Sequence, residues 1–273
     1  MMEDRFLINE CLWMVTVPTH VPVYDFDFCS YFDCRCPYEF APDLPGVARV
    51  GAIEHYAGLY ESLLGEGIRL VNSPEQHERA SNLPIWYPLL EGRTPRSRWF
   101  EEFPDFEELE AEFGLPLFLK GSRQTSRHRA DLSIIRSRED YLRAVEIYRC
   151  DPILHWQQFV CREFALLRPV MGGDPSKIPA SFEFRTFWWQ GRHVGSGRYW
   201  YEAAPYDWTP AERDAVLGLA GEAAQALDCG FLVIDLAMTK EGFWTIIECN
   251  DGMESGYAGV SPFALWRKVV ECM

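Results

Sequence analysis

Lysine is scarce in this sequence, and acidic residues far outnumber basic ones. Four of the 273 residues are lysine, and 26 Lys and Arg together face 41 Asp and Glu, which gives a formal net charge of -15 at neutral pH. A surface of that charge repels the phosphates of a polyanion. The composition therefore excludes general nucleic-acid binding.

Long apolar runs are also missing. No run approaches the roughly 18 consecutive apolar residues that a membrane-spanning helix needs. The first ten residues carry Glu3, Asp4 and Glu10, whereas a secretory signal peptide begins with basic residues. We expect a soluble, cytoplasmic protein that has no membrane partner.

The nine cysteines lack the paired CxxC spacing that is typical of structural zinc sites. Only Cys29, Cys34 and Cys36 cluster, and unpaired structural thiols are a simpler interpretation of them than a metal site. Because the number of cysteines is odd and no export signal is present, we expect reduced thiols.

What the sequence does contain is ample apolar material. Hydrophobic residues make up 48% of the chain and aromatic residues 15%, enough to bury a large core at about 25 cal/mol per Å². The length suggests about two packed units at ~150 residues each. Prolines break the first 45 residues into short strands and loops, and helical spacing over 52–64 followed by a short strand over 68–71 predicts an N-terminal α/β unit.

Beyond residue 100, helical and strand patterns alternate. They predict a helix over 106–113, a strand over 115–120, a helix over 137–148, a strand over 155–167, a hairpin over 182–200 and a helix over 209–227. The last helix has the best-defined start, because Thr209, Pro210 and Glu212 supply an N-cap, a first-turn proline and a capping-box acid.

A further predicted hairpin, FLVIDLAM and FWTIIECN, carries two acids on apolar strands. If its turn has four residues, Met238 pairs with Phe243, Asp235 lies diagonal to Glu248, and Asn250 follows on the same face. Two carboxylates side by side in apolar surroundings repel each other unless a cation joins them. Oxygen ligands suit magnesium, so the pattern predicts a Mg²⁺ site.

The alternative for this hairpin is structural, with Asp235 in a salt bridge and Glu248 ending its strand in water. An acidic loop punctuated by glycines follows directly, over residues 251–259. Loops of this kind carry function more often than strands do, and this one favours the metal site.

Three basic residues lie in apolar or aromatic strands. Lys120 alone among the lysines ends an apolar strand, where its ammonium either binds an anion such as a nucleotide phosphate or extends to solvent. Arg162 and Arg185 each bind phosphate oxygens or pair with the neighbouring Glu163 or Glu183.

Together these residues resemble the ATP-grasp superfamily, whose C-terminal signature of an Asp on one strand and Glu-x-Asn on the next is similar to Asp235, Glu248 and Asn250. FLKG, QQFVCREF and FEFRTF resemble the family's lysine strand, its adenine-binding linker strand and its E-x-R segment. The pairing of VCREF with FEFRTF resembles a divergent clade named for one arginine and two lysines. That clade is similar to the eukaryotic cell-cycle ATP-grasp protein that assembles translation initiation factor two. The likeness extends over residues 69–259.

The resemblance implies an ATP-grasp fold of α/β and α+β class. Its parts are an N-terminal α/β unit over 1–95, a middle lid subdomain over 96–160 and a C-terminal subdomain over 161–273, the last two being α+β and clamping ATP. The implied catalytic residues are Lys120 and Arg185, and the implied Mg²⁺ ligands are Asp235, Glu248 and Asn250. The implied nucleotide contacts are Lys120, Gln158, Arg162, Glu163, Phe164, Arg185 and Arg198.

One position departs from the clade's pattern. No second lysine follows Lys120, and the sequence offers Arg123, Arg127, His128 and Arg129 instead. We expect an arginine to replace that phosphate contact or the contact to be absent.

The resemblance implies a Mg-ATP-dependent ligase that activates a small carboxylate or peptide as an acylphosphate, which an amine or other nucleophile then attacks. An ATP-binding assembly chaperone with a protein partner is the rival, and a remnant that binds no nucleotide is a third possibility. The residues Lys120, Asp235, Glu248 and Asn250 argue against the remnant but do not separate ligase from chaperone.

Overall fold

The computed structural model describes residues 4–20, 24–36, 44–51, 53–123 and 129–273. Within those ranges the strands form three sheets, numbered here in chain order, with helices packed around them. The predicted combination of α/β and α+β units is confirmed.

The first sheet belongs to the N-terminal unit. Its strands are β1 (Asp4–Ile8), β2 (Leu12–Thr16), β3 (Cys34–Arg35), β4 (Pro45–Arg49) and β5 (Arg69–Leu70). They lie in the order β3-β1-β2-β4-β5. β1 and β2 form an antiparallel hairpin, whereas β2, β4 and β5 run parallel, with helix α1 (Tyr56–Gly65) between β4 and β5.

The second sheet is antiparallel and forms the middle of the chain. Its strands are β6 (Ser97–Phe100), β7 (Leu117–Gly121), β8 (Ile134–Ile135) and β9 (Phe159–Glu163), in the order β6-β9-β7-β8. Helices α4 (Phe106–Phe113), α5 (Ala130–Ser133) and α6 (Arg138–Cys150) contribute to the apolar core of this sheet. Leu119 and Cys161 lie at its centre, fully buried.

The third sheet is the buried centre of the molecule. Its strands are β10 (Glu183–Trp189), β11 (Arg192–Arg198), β12 (Phe231–Met238) and β13 (Trp244–Asp251), in the order β11-β10-β12-β13 and all antiparallel. Phe187 and Val233 pack with the first sheet, whereas Trp188 and Ile234 pack with the long helix α7 (Pro210–Leu227) on the other face.

Three further helices complete the core. They are α2 (Pro74–Ser81), α3 (Leu83–Trp86) and α8 (Pro262–Glu271). α2 and α3 pack beside α7, and α8 packs with the first sheet. Within the described ranges, none of the helices combines the length and the apolar character needed to cross a bilayer.

Two sequence-based boundaries need correction. The division between residues 160 and 161 falls inside β9, which stays in the second sheet to Glu163 because β6 and β7 pair with it on both sides. The strand predicted over 155–167 is likewise limited to β9. The stretch over 74–105 contains several prolines, and no helix or strand was predicted for it from the sequence. The structure shows α2, α3 and β6 there. The two helices form because each has its proline in the first turn, where a helix tolerates it.

Candidate functional site

The hairpin of β12 and β13 brings the predicted acids face to face. Asp235 pairs directly with Glu248, and Asn250 lies two residues further along β13. Directly opposed residues and residues two apart share one face of a sheet. The prediction that these three side chains share a face is therefore confirmed.

The predicted register of this hairpin is wrong by two residues. The loop is one residue longer than expected, so Met238 pairs with Trp244 instead of Phe243. A bulge then leaves Ile247 without a partner on β12, which adds a second shift. Because side chains alternate with a period of two, the two shifts together restore the predicted face.

Asp235 forms a buried, bidentate ion pair with Arg185 of the neighbouring strand β10. Nε and Nη2 of Arg185 donate to the two carboxylate oxygens at 2.9 and 2.7 Å. Its Nη1 donates to the carbonyl oxygen of Gly256 at 2.7 Å, and the ring of Tyr199 lies 4.9 Å from its guanidinium carbon. Burial opposes the charge, but Asp235 outweighs burial and raises the pKa of Arg185. Arg185 thus pairs with Asp235 and not with Glu183.

Glu248 pairs with Lys120, which reaches it from β7 of the second sheet. Lys120 is only 3% exposed, so its ammonium does not extend to solvent. Two ion pairs therefore lie side by side, one on each member of the Asp235 and Glu248 pair. The repulsion that the sequence suggested for the two carboxylates is relieved by these two basic side chains.

Arg162 of β9 connects the second and third sheets through hydrogen bonds. Its Nη1 donates to the carbonyl oxygen of Ile247, the bulge residue of β13, at 2.6 Å. Nε donates to Ser97 at 3.0 Å, and Nη2 donates to Thr94. Burial lowers the pKa of Arg162 to about 10. Its guanidinium contacts these neutral groups, so of the two alternatives given for Arg162 the ion pair with Glu163 is not observed.

A cavity of about 280 Å³ lies between the second and third sheets, and we call it the inter-sheet cavity. Its apolar wall comes from Phe118 and Ile134, from residues 164–167 after β9, and from Ile247. Lys120 and Glu248 also line it. The cavity therefore offers apolar surface for a planar ring and a charged region that contains the ion pair of Lys120 and Glu248.

Of the predicted nucleotide contacts, four line this cavity: Lys120, Arg162, Glu163 and Phe164. Arg185 adjoins it through Tyr199, which is a lining residue. Gln158 does not line it, because this side chain lies at the opposite end of β9 and donates to Glu101.

Arg198 is also placed away from the inter-sheet cavity. It pairs with Phe184 across β10 and β11 and so lies on the face opposite to Arg185. The cause is a bulge between Phe187 and Trp188. Without that one-residue shift Arg198 would pair with Glu183 and share the face of Arg185.

Two of the arginines that were candidates for the second phosphate contact, Arg123 and Arg129, pair with acidic side chains elsewhere. Arg123 pairs with Glu78 of α2, and Arg129 pairs with Asp131 at 2.6 Å. Residues 127 and 128 lie outside the described ranges.

Glu183 is a buried acid that also lines the inter-sheet cavity. Its Oε2 accepts hydrogen bonds from Ser181 Oγ and from Trp200 Nε1, both at 2.9 Å. Burial, with a smaller contribution from the charge of Asp235, raises the pKa of Glu183 to about 8. At neutral pH this carboxyl group is mostly protonated.

The sequence interpretation missed Arg49, the last residue of β4. Its Nη1 donates to the carbonyl oxygens of Gly252 at 2.8 Å and Ser255 at 2.7 Å, and its guanidinium carbon lies 4.5 Å from the ring centre of Tyr257. Arg49 thereby ties the loop after Asn250 to the first sheet. An arginine that ends an apolar strand is the same signal that identified Lys120.

Helix α2 holds the same loop through a buried acid-imidazole cluster. Nδ1 of His77 lies 3.0 Å from Oδ2 of Asp251, and its ring stacks on Tyr56 with centroids 3.9 Å apart. Glu254 accepts a hydrogen bond from the backbone N–H of Ile53 at 2.8 Å. Burial raises the pKa of Glu254 to about 7.

The donor set can be tested against a magnesium ion. Within the described ranges, no three His, Cys, Asp or Glu side chains form a metal-binding group. Asp235 and Glu248 each supply a carboxylate, and the side-chain amide of Asn250 supplies a third oxygen ligand on the same face. Magnesium commonly takes one or two carboxylates and completes its shell with water and phosphate oxygens. The residues present fit such an ion when a nucleotide supplies the remaining ligands.

Glu183 gives a pH dependence of stability that can be measured. Its pKa is raised from 4.5 to about 8, so its stabilising contribution is full below the unfolded pKa and is lost as pH rises through the folded pKa. We predict that Glu183→Gln, which keeps an acceptor for Trp200, loses less free energy of unfolding between about pH 5 and pH 8 than the wild type. Urea denaturation at both pH values measures this, with the exposed Glu241→Gln as the control. Parallel losses in all three proteins would contradict the assignment.

Residues 95–269 match a family model described as an ATP-grasp domain, family 3 of the clade named for one arginine and two lysines. A comparison with curated protein sequences finds no match. Among solved structures, a RimK domain ATP-grasp protein from Sphaerobacter thermophilus is 17% identical and aligns over 79% of this chain and 78% of its own, with a TM-score of 0.56.

Two further structures share the fold and were solved with ATP. D-alanine--D-alanine ligase from Bacillus anthracis is 16% identical over 83% of this chain and 78% of its own, with a TM-score of 0.58. Carboxyaminoimidazole ribonucleotide synthase from Aspergillus clavatus is 12% identical over 81% and 62%, with a TM-score of 0.56. The family match covers well over half of the sequence, and the chain therefore belongs to the ATP-grasp superfamily, in the clade named for one arginine and two lysines.

Proposed function

We propose that this protein is a Mg-ATP-dependent ligase that activates a carboxylate as an acylphosphate for attack by an amine. The observation that carries the proposal is the inter-sheet cavity, which joins an apolar wall to the Lys120 and Glu248 ion pair. An adenine ring suits the apolar wall, and a phosphate chain suits the charged region. The shared fold of the Bacillus anthracis ligase, solved with ATP, supports the nucleotide assignment.

In this proposal Lys120 exchanges partners when the nucleotide enters. Its ammonium leaves Glu248 for an oxygen of the phosphate chain, because the phosphate chain carries more negative charge than one carboxylate. Glu248 is then free to join Asp235 and Asn250 as a ligand of magnesium. Bound there, magnesium neutralises charge on the transferring phosphoryl group.

Arg185 and Arg49 position the rest of the site. The bidentate contact to Asp235 fixes the carboxylate that faces Glu248. Arg185 and Arg49 each hold backbone carbonyls of the loop after Asn250. Preorganised charges of this kind need no rearrangement during the reaction.

The proposed chemistry needs no side-chain nucleophile. An oxygen of the substrate carboxylate attacks the γ-phosphorus of ATP, and ADP leaves. The amine nitrogen then attacks the acyl carbon, phosphate leaves, and the amine proton passes to solvent or to phosphate. Arg185 and Asp235 hold each other before any ligand enters, so in this proposal catalysis rests on orientation and electrostatics.

Replacing Lys120 tests the nucleotide assignment. Lys120→Met keeps the apolar part of the side chain and removes the charge, so we predict a roughly ten- to hundred-fold loss of ATP affinity, the value of one charge-assisted hydrogen bond. Calorimetric titration with Mg-ATP measures it. Lys268→Met, at an exposed position of α8, serves as the control. ATP affinity that is the same in both variants would remove Lys120 from the site.

Turnover tests the ligase assignment. We predict that ADP release from Mg-ATP rises at least several-fold when the correct pair of a small carboxylate and an amine is added, and that Asp235→Asn abolishes the stimulation. A coupled ADP assay over a panel of amino acids measures it. Tight Mg-ATP binding with no stimulation by any pair, together with a stable stoichiometric complex with another protein, would contradict the ligase and favour the assembly chaperone.

A further inference from the structure

Arg198 lies in a second cavity, on the face of the third sheet opposite to Asp235 and Glu248. This cavity, which we call the outer cavity, measures about 650 Å³, within the range of roughly 300–1,000 Å³ that small-molecule sites occupy. β11 contributes Ser196 and Arg198, and α7 contributes Arg213. No residue that lines the outer cavity also lines the inter-sheet cavity.

Two guanidinium groups line the outer cavity without an ion-pair partner. In the part of the chain that the structure describes, no carboxylate lies within 4.0 Å of a side-chain nitrogen of Arg198 or Arg213. Asp207 also lines the cavity and its Oδ1 accepts a hydrogen bond from the backbone N–H of Trp208 at 2.8 Å, so the lining carries two positive side chains against one negative side chain. In a protein with a net charge of -15, two such arginines in one cavity are a signal for an external anion.

The aromatic walls of the outer cavity are fixed in place. Trp208 stacks on the buried Phe184 with ring centroids 4.0 Å apart. Tyr206 donates its hydroxyl proton to the carbonyl oxygen of Glu183 at 2.6 Å, and Arg198 lies 5.9 Å from the centre of its ring. Rings that are held before a ligand arrives lose little entropy on binding and offer flat surfaces to a planar ligand.

The backbone beneath Arg198 is equally constrained. The N–H of Gly259 donates to the carbonyl oxygen of Arg198 at 3.0 Å. A Cβ on Gly197 would lie 2.4 Å from the carbonyl oxygen of Gly259, so glycine permits this close approach of the two segments. The guanidinium of Arg198 therefore projects from a rigid base.

From these contacts we propose that the outer cavity binds a small organic anion, a carboxylate or a phosphate carried on a planar ring. Arg198 and Arg213 hold the anionic group, because a guanidinium fork matches the paired oxygens of both groups. Trp208 and Tyr206 hold the ring. The site is independent of the proposed ligase reaction, since it lies on the other face of the sheet.

Phenyl phosphate, benzoate and inorganic phosphate serve as probes, each titrated calorimetrically into the full-length protein. We expect phenyl phosphate or benzoate to bind at least ten-fold more tightly than inorganic phosphate, and the tighter of the two identifies the anionic group. Arg198→Met and Arg213→Met should each weaken that binding about ten-fold or more. Arg192→Met, on the same strand but outside the cavity, should leave it unchanged.

Three results would overturn the proposal. The first is that none of the three probes binds the wild type. The second is equal affinity in the Arg198, Arg213 and Arg192 variants. The third is binding that only Lys120→Met removes, which would assign the probe to the inter-sheet cavity. Arg213 is exposed on α7, so we expect Arg213→Met to fold. This variant still tests the proposal if Arg198→Met fails to fold.

Discussion

Two ion pairs packed side by side in a buried sheet are the constraint on which this structure depends. Removing a charged group from water costs several kcal/mol, and a buried pair is stable only when its geometry is good and its remaining hydrogen-bonding capacity is used. Arg185 meets that condition with two contacts to Asp235 and one to Gly256. Lys120 forms the second pair, with Glu248, across the boundary between two sheets. The relative position of the second and third sheets is therefore set partly by opposite charges.

The bulge in β13 makes this arrangement possible. It places Glu248 opposite Asp235 and leaves Ile247 without a paired residue on β12, and Arg162 donates to the carbonyl oxygen of Ile247 from the second sheet. One irregular residue thus supplies both the alignment of the acids and an anchor for the second sheet. Arg49 of the first sheet likewise donates to backbone carbonyl oxygens of the acidic loop after Asn250. The N-terminal unit therefore helps to shape that loop, although most of the unit lies outside the family match.

Local patterns in the sequence predicted the parts of the site that depend on alternation. Asp235, Glu248 and Asn250 share a face because strand side chains alternate, and two compensating shifts left that conclusion intact. Arg198 shows the opposite outcome, since a single bulge in β10 and β11 moved it to the outer face. Nothing in a single strand reveals such a bulge. The partners of Arg185 and Arg49 were equally inaccessible, because they lie about 50 and 200 residues away in the chain.

The central claim is that Glu248 exchanges Lys120 for magnesium when ATP binds. Calorimetric titration of ATP with and without Mg²⁺, in the wild type and in Glu248→Gln, tests it most directly. The account predicts that Mg²⁺ strengthens ATP binding to the wild type, and that Glu248→Gln still binds ATP but loses most of that strengthening. An equal effect of Mg²⁺ on both proteins, or no ATP binding by the folded wild type, would contradict it.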